Sequence, residues 1–347
     1  MSALGLGGCD ESSAQTDAAA PAPAPVSGVA QAPTRPSAPA DARPIAYEIW
    51  QTTSPGDFTA YNQRASLIQR GREVYNKHCV GCHGEFGQGN GPAALRLMTK
   101  PRDFTSGIFK FRSTDSSSLP MEADLHRTIT RGLSRVSMPA FPLMPETEKV
   151  EVIEYIKSFY PKWEEEKDAR KIVAVPPAPP DIDSPQRQMR GRIVYLSMSC
   201  NSCHGLDGAG QGATRTQYVD AWGNEQRPFN FTRGKLKNGD TAQDIYRTFH
   251  TGLRSIMPAY NLDLLATVNA ESFNAVTGEL SAEERAQLQP YLSQFPATAA
   301  QVFEQMSESD RHTQGVTNSW DLVAYVRSLR REISTRDAVL GPAPSME

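Results

Sequence analysis

The chain lacks the features that would place it in several broad classes. In 347 residues no run of about 18 apolar positions occurs, so the sequence offers no membrane-spanning helix. The opening MSALGLGG has neither a charged start nor a long apolar stretch, which excludes a complete signal peptide there. Charge is close to balanced, with 36 Lys and Arg against 39 Asp and Glu, so no electrostatic case exists for nucleic acid as a partner. Cysteine is scarce as well. There are five, an odd number, and four of them sit in two close pairs, which argues against a scattered disulfide framework.

Those pairs lie in CVGCHGEFGQGNG, Cys79 to Gly91, and CNSCHGLDGAGQG, Cys200 to Gly212. Each is a C-x-x-C-H frame, the order used for covalent attachment of c-type haem. Two residues between the thiols let each sulfur reach one carbon on the same edge of a porphyrin. The histidine that follows then carries its imidazole to the iron. A redox dithiol or half of a zinc site would use similar residues. Zinc, however, wants a fourth ligand for each set, and no further cysteine lies nearby. The repetition predicts two haem c groups, attached at Cys79 and Cys82 and at Cys200 and Cys203, with His83 and His204 as axial ligands.

The surrounding sequence repeats too. GREVY (Gly71–Tyr75) returns as GRIVY (Gly191–Tyr195), and KPRDFTSG (Lys100–Gly107) as RPFNFTRG (Arg227–Gly234). DLHRTITRGL (Asp124–Leu133) returns as DIYRTFHTGL (Asp244–Leu253), SMPAF (Ser137–Phe141) as IMPAY (Ile256–Tyr260), and VIEYIKSF (Val152–Phe159) as LVAYVRSL (Leu322–Leu329). The cysteines are offset by 121 residues and the last pair by 170, so the second copy carries an insertion, placed at 261–319. Apolar spacing predicts helices over 63–78 and 145–159, with a short one near 121–131. Within the insertion, Ser281 followed by acidic residues predicts a helix start, with a bend or end near Pro290. The expected organisation is an Ala- and Pro-rich tether at 1–43, a first domain at 44–165, an extended Pro-rich linker at 166–186, a second domain at 187–335 and a tail at 336–347.

Together these residues resemble the class I cytochrome c family, taken twice in tandem in a bacterial protein. The resemblance implies an all-α fold in which a helix carrying Gly71 and Tyr75 crosses another at Tyr155, and one carrying Gly191 and Tyr195 crosses another at Tyr325. It also implies a methionine as sixth iron ligand. Met138 lies 55 residues beyond His83 and Met257 lies 53 beyond His204, each followed by proline. Met144–Pro145 is a second such dipeptide, but it begins a helix and has no counterpart in the other copy. In the family a proline soon after the haem motif supplies the carbonyl that accepts the imidazole Nδ1–H, which implies Pro92 here and Ala213 in its place in the second copy.

Haem is attached to such motifs outside the cytoplasm, so a periplasmic location is expected. LGGC at Leu6–Cys9 resembles the end of a bacterial lipoprotein signal. This predicts lipidation at Cys9, a membrane tether rather than a span, and a start inside the natural signal. His/Met ligation closes the iron and suits electron transfer, whereas an open iron suits peroxide chemistry. The expected function is a two-haem electron carrier between redox proteins or a membrane respiratory complex, with a dihaem peroxidase-like enzyme as the alternative. Residues 62–160 hold 14 basic against 10 acidic residues, and 261–319 hold 2 against 8, so the insertion is the acidic part of the second copy.

Overall fold

Apolar periodicity and capping dictate most of the helices. The structure, a computed structural model, describes residues 58–330 apart from 135, 217, 220–222, 224, 255 and 256. The expectations for Cys9, for the tether at 1–43 and for the tail at 336–347 lie outside the described residues. Among the described residues regular structure is helical, with extended pairing confined to isolated bridges at Thr114–Ile172 and Val219–Glu225. The fold is all-α, as expected.

In the first half, α1 (Phe58–His78) runs into α2 (Val80–His83), followed by α3 (Glu122–Arg131), α4 (Glu146–Ser158) and the short α5 (Trp163–Glu166). Glu146 and Glu148 stand in the first turn of α4, where the helix dipole favours negative charge. The α1–α4 crossing is tight because Gly71 has no Cβ. One built there would overlap the carbonyl oxygen of Glu151 and stand 3.0 Å from Tyr155 Cβ. Val74, Tyr75, Val152, Ile153 and Ile156 are buried at this crossing with Phe104, Phe109, Leu125 and Trp163.

The second half repeats this plan. α6 (Pro185–Ser197) leads into α7 (Cys200–His204), followed by α8 (Ala242–Thr251). Ser184 Oγ accepts the Arg187 N–H, and Pro185 occupies the first turn of α6, where its missing N–H costs nothing. The insertion contributes α9 (Leu262–Ala266), α10 (Ala270–Ala275) and α11 (Ala282–Leu292), and α12 (Glu308–Ser328) is the last described helix. Gly191 lets α6 cross α12: a Cβ there would overlap the Asp321 carbonyl and stand 2.7 Å from Tyr325 Cβ.

The insertion is not a surface appendage. Leu265, Ala266, Val268, Leu288 and Val302 are fully buried. Each leucine or valine so excluded is worth about 1.5–3 kcal/mol, which makes the insertion part of the second core. Its helical reading at Ser281 is met by a capping box with Glu284, and Pro290 lies inside α11, which ends at Leu292. Its far end runs on into the last described helix. Residues 308–319 form the front of α12, held to α9 where Gly315 meets the Leu262 carbonyl and where Asn318 Nδ2 donates to Leu265 O at 2.8 Å.

The Pro-rich stretch is extended, yet it is bound along its length. Val173 N donates to Ser113 O at 2.9 Å, and Val175, Ala178 and Ile182 pack on the second core. Arg112 joins the halves. Fully buried, its guanidinium donates to Phe109 O, Asp115 O and, across the junction, Thr251 O. Lys110 Nζ adds a bond to Gln226 Oε1 at 2.9 Å.

Candidate haem sites

Each C-x-x-C-H frame folds as one helical turn at the end of a long helix. Cys79 caps α2, and the N–H groups of Cys82 and His83 donate to its carbonyl at 3.1 and 2.9 Å. Cys200, Cys203 and His204 lie together on α7. Gly84 and Gly205 follow, both at φ 79°, a left-handed conformation that favours glycine and turns the chain out of the helix. Buried Tyr75 and Tyr195 donate to the carbonyls of these two glycines, at 2.7 Å in each case. The long helix thereby fixes the turn that carries the histidine.

The imidazoles are held the same way twice. His83 Nδ1 lies 3.0 Å from Arg102 O, and His204 Nδ1 lies 3.0 Å from Phe229 O. A carbonyl only accepts, so the ring proton sits on Nδ1 and Nε2 keeps its lone pair for a metal. Phe104 stacks on His83 with centroids 4.4 Å apart, and Phe231 on His204 at 4.3 Å. Burial lowers the pKa of both imidazoles, opposed by the carbonyl bonds, which favours the neutral ligating form.

The carbonyls correct one expectation: they belong to Arg102 and Phe229, not to Pro92 and Ala213. Pro92 and Ala213 are exposed, because the segments around them fold back on the motif itself. Ala93 N donates to Gly81 O at 2.9 Å and Thr214 N to Ser202 O at 3.0 Å. The acceptor segments come later, where Pro101 precedes Arg102 and Pro228 precedes Phe229. Gly89 and Gly210, at φ 73° and 77°, admit them: a Cβ would stand 2.5 Å from Pro101 O or 2.8 Å from Pro228 O. The signal was present in the pairing of KPRDFTSG with RPFNFTRG, which holds both acceptors and both stacking phenylalanines.

Met138 and Met257 occupy corresponding loops. Leu133 N donates to Met138 O and Leu253 N to Met257 O, at 3.1 Å each, while Phe141 N and Tyr260 N return to Ile129 O and Phe249 O. Both methionines are half-buried. Met144 is instead buried in the first core. Two further histidines are engaged elsewhere: His126 Nε2 pairs with Glu146 at 2.6 Å, and His250 Nε2 lies 3.0 Å from Ser319 Oγ.

The donor set fits haem better than the competing uses of the same residues. All four thiols are unpaired. Burial pushes the Cys79 and Cys200 thiols up to about 12, the reverse of what a reactive dithiol needs. Among the described residues no group of three or more His, Cys, Asp or Glu converges to hold a bare metal ion.

Comparison with known proteins bears on the same stretch. Residues 66–156 match the family model described as cytochrome c oxidase, cbb3-type, subunit III. The match supports a c-type cytochrome, with haem as its group and electron transfer as its use. The chain is also similar to a protein of the Kuenenia stuttgartiensis reducing HAO-like protein complex, at 28% identity and a TM-score of 0.57. That match covers 76% of this chain and 96% of the other. No curated protein matches the chain. Among the described residues no helix is long and apolar enough to cross a membrane.

Proposed function

We propose that the chain is a bacterial electron carrier of the periplasm with two haem c groups, one in each of two tandem class I cytochrome c domains. The observation that carries this reading is the second imidazole. His204 repeats the environment of His83 within the cytochrome c domain: a carbonyl on Nδ1, a phenylalanine on the ring face and a tyrosine bonded to the following glycine. Thioether attachment falls to Cys79, Cys82, Cys200 and Cys203, and axial ligation to His83 with Met138 and His204 with Met257. When bound, each haem would supply one reversible one-electron centre. The protein's part is to hold each imidazole neutral and fixed, and Met138 and Met257 would each offer the iron a soft thioether.

Arg112 and the bound linker hold the two halves in one arrangement, which suits passage of electrons between fixed centres rather than between swinging domains. The similarity to a chain of a HAO-like complex favours a role as electron-transfer subunit beside a partner redox protein. Membrane association through lipidated Cys9 completes the reading, and Cys9→Ser should release the protein from membranes in a host that processes lipoproteins.

Carbon monoxide tests the closed-iron claim. The reduced wild-type protein should bind none, and Met138→Ala or Met257→Ala should each open one iron of two. Stoichiometric binding by the wild type would replace the carrier with a peroxidase-like enzyme.

A further inference from the structure

The two methionine loops share one frame and differ in what is tied to it. In both, the residue three after the methionine donates its N–H to the preceding helix, Phe141 to Ile129 O and Tyr260 to Phe249 O. The residue after each acceptor differs: Thr130 in the first half, His250 in the second. Thr130 Oγ1 is buried and meets no hydrogen-bond partner among the described residues. Phe141 has no hydroxyl, and its ring meets that of His78 with centroids 5.7 Å apart. Beyond it Pro142 and Leu143 are exposed, Leu143 at 95%, before the chain is buried again at Met144.

In the second half the same positions form a chain of bonds. The buried His250 ring bonds the backbone carbonyl of Tyr260, and its Nε2 lies 3.0 Å from the fully buried Ser319 on α12. One imidazole thus spans from the methionine loop to the last described helix. The Tyr260 hydroxyl in turn bonds the Cys200 sulfur, on the motif itself. Asn261, next in the chain, caps α9 by accepting the Leu264 N–H at 2.7 Å. That helix is anchored by Leu265, which is fully buried. The Met257 loop is therefore tied to three elements by bonds that have no counterpart at Thr130, Phe141 or Pro142.

We infer that His250 is a positioning residue for Met257, and that Met138, whose loop lacks this bridge, is the more readily displaced of the two sixth ligands. The inference rests on His/Met ligation in both halves. For a methionine to leave its iron the loop must swing away, a local opening whose population depends on the bonds it breaks. A buried hydrogen bond broken without replacement lowers that population severalfold, to about tenfold. Exchange with a small anionic ligand is then concentrated at the first half, while the second stays closed.

The test uses the two-haem protein in the ferric state, which holds a soft thioether less firmly than the ferrous. Met257→Ala leaves the far-red methionine–iron band to Met138 alone, and Met138→Ala leaves it to Met257. Cyanide should bleach the Met138 band about tenfold faster than the Met257 band. His250→Thr, which puts the first half's residue into the second, should bring the Met257 band to the Met138 rate. His250→Gln keeps a donor for the Tyr260 carbonyl and should stay within about threefold of its parent. Without cyanide, amide exchange at Tyr260 should be slower than at Phe141, and His250→Thr should quicken it. Should that variant fail to fold, Ser319→Ala removes the far end of the bridge and is expected to quicken both readouts. Equal bleaching of the two bands, or exchange at Tyr260 indifferent to these substitutions, overturns the inference while the ligation stands. A methionine–iron band missing from both backgrounds overturns the His/Met reading, and this inference with it.

Discussion

Replacing Gly71 or Gly191 with alanine probes the packing that carries both sites. Alanine is the better helix former by about 1 kcal/mol, so helical preference alone predicts stabilisation. Packing predicts the opposite. The new Cβ would fall well inside 3.0 Å of a backbone carbonyl, Glu151 in one crossing and Asp321 in the other, and neither can swing aside as a side chain could. Overpacking of this sort costs about 1–3 kcal/mol where the surroundings yield. Here yielding means parting two helices whose contact buries Tyr75 and Val152, or Val194 and Val323, at 0–1% exposure, and re-exposing even one such side chain costs about 1.5–3 kcal/mol. The net loss should be about 2 kcal/mol or more at either position. Gly81→Ala, within α2 where a Cβ meets nothing, is the control and should hold or raise stability, by up to about 1 kcal/mol. Urea unfolding of the haem-loaded protein, followed by circular dichroism, measures all three. Gly71→Ala as stable as Gly81→Ala would refute the close-crossing account.

The stacked phenylalanines and the buried histidine give two more predictions. Phe104→Leu and Phe231→Leu should each remove a ring contact worth about 1 kcal/mol while keeping the apolar volume. Paramagnetic NMR should show a broadened or shifted imidazole signal in the substituted half only, and an unaltered signal would deny the ring a positioning role. His250, packed on Tyr246 and Phe249 and facing Ser319, has its pKa lowered by burial to about 4 from 6.5, against a backbone bond to Tyr260. The folded protein then binds fewer protons than the unfolded one between these values, so stability is full above pH 6.5 and falls as pH drops toward 4. The loss attributable to this group is up to about 3 kcal/mol, and His250→Gln should flatten that part of the acid-unfolding curve. An identical pH dependence in the variant would place the acid sensitivity elsewhere.

Much of the molecule was legible because helices advertise themselves. The helices expected from 121 and 145 were readable from apolar spacing, the one expected from 63 starts earlier, at Phe58, and the start at Ser281 was readable from its cap and acidic first turn. What escaped was whatever depends on partners distant in sequence. Arg102 and Phe229 accept the imidazole protons through backbone carbonyls, which any residue type can supply, and the family resemblance pointed instead to Pro92. The front of α12 fell within the insertion because the repeat resumes only at LVAYVRSL, and the sequence does not show that Gly315 and Asn318 are held there by the backbone of α9. The linker's composition gave its extended form, while its packing through Val175 and Ile182 depends on a core that composition does not describe.

The central claim is that His83 and His204 stand in two equivalent haem sites on one chain. Haem content per chain, from the pyridine haemochrome spectrum of protein matured in a host competent for c-type attachment, tests it most directly. The account predicts two covalently bound haems, falling to one when His204 and its two thiols are replaced and leaving the other's spectrum unchanged. One haem per chain in the wild type, or two that are released by acidic acetone rather than held as thioethers, would contradict it.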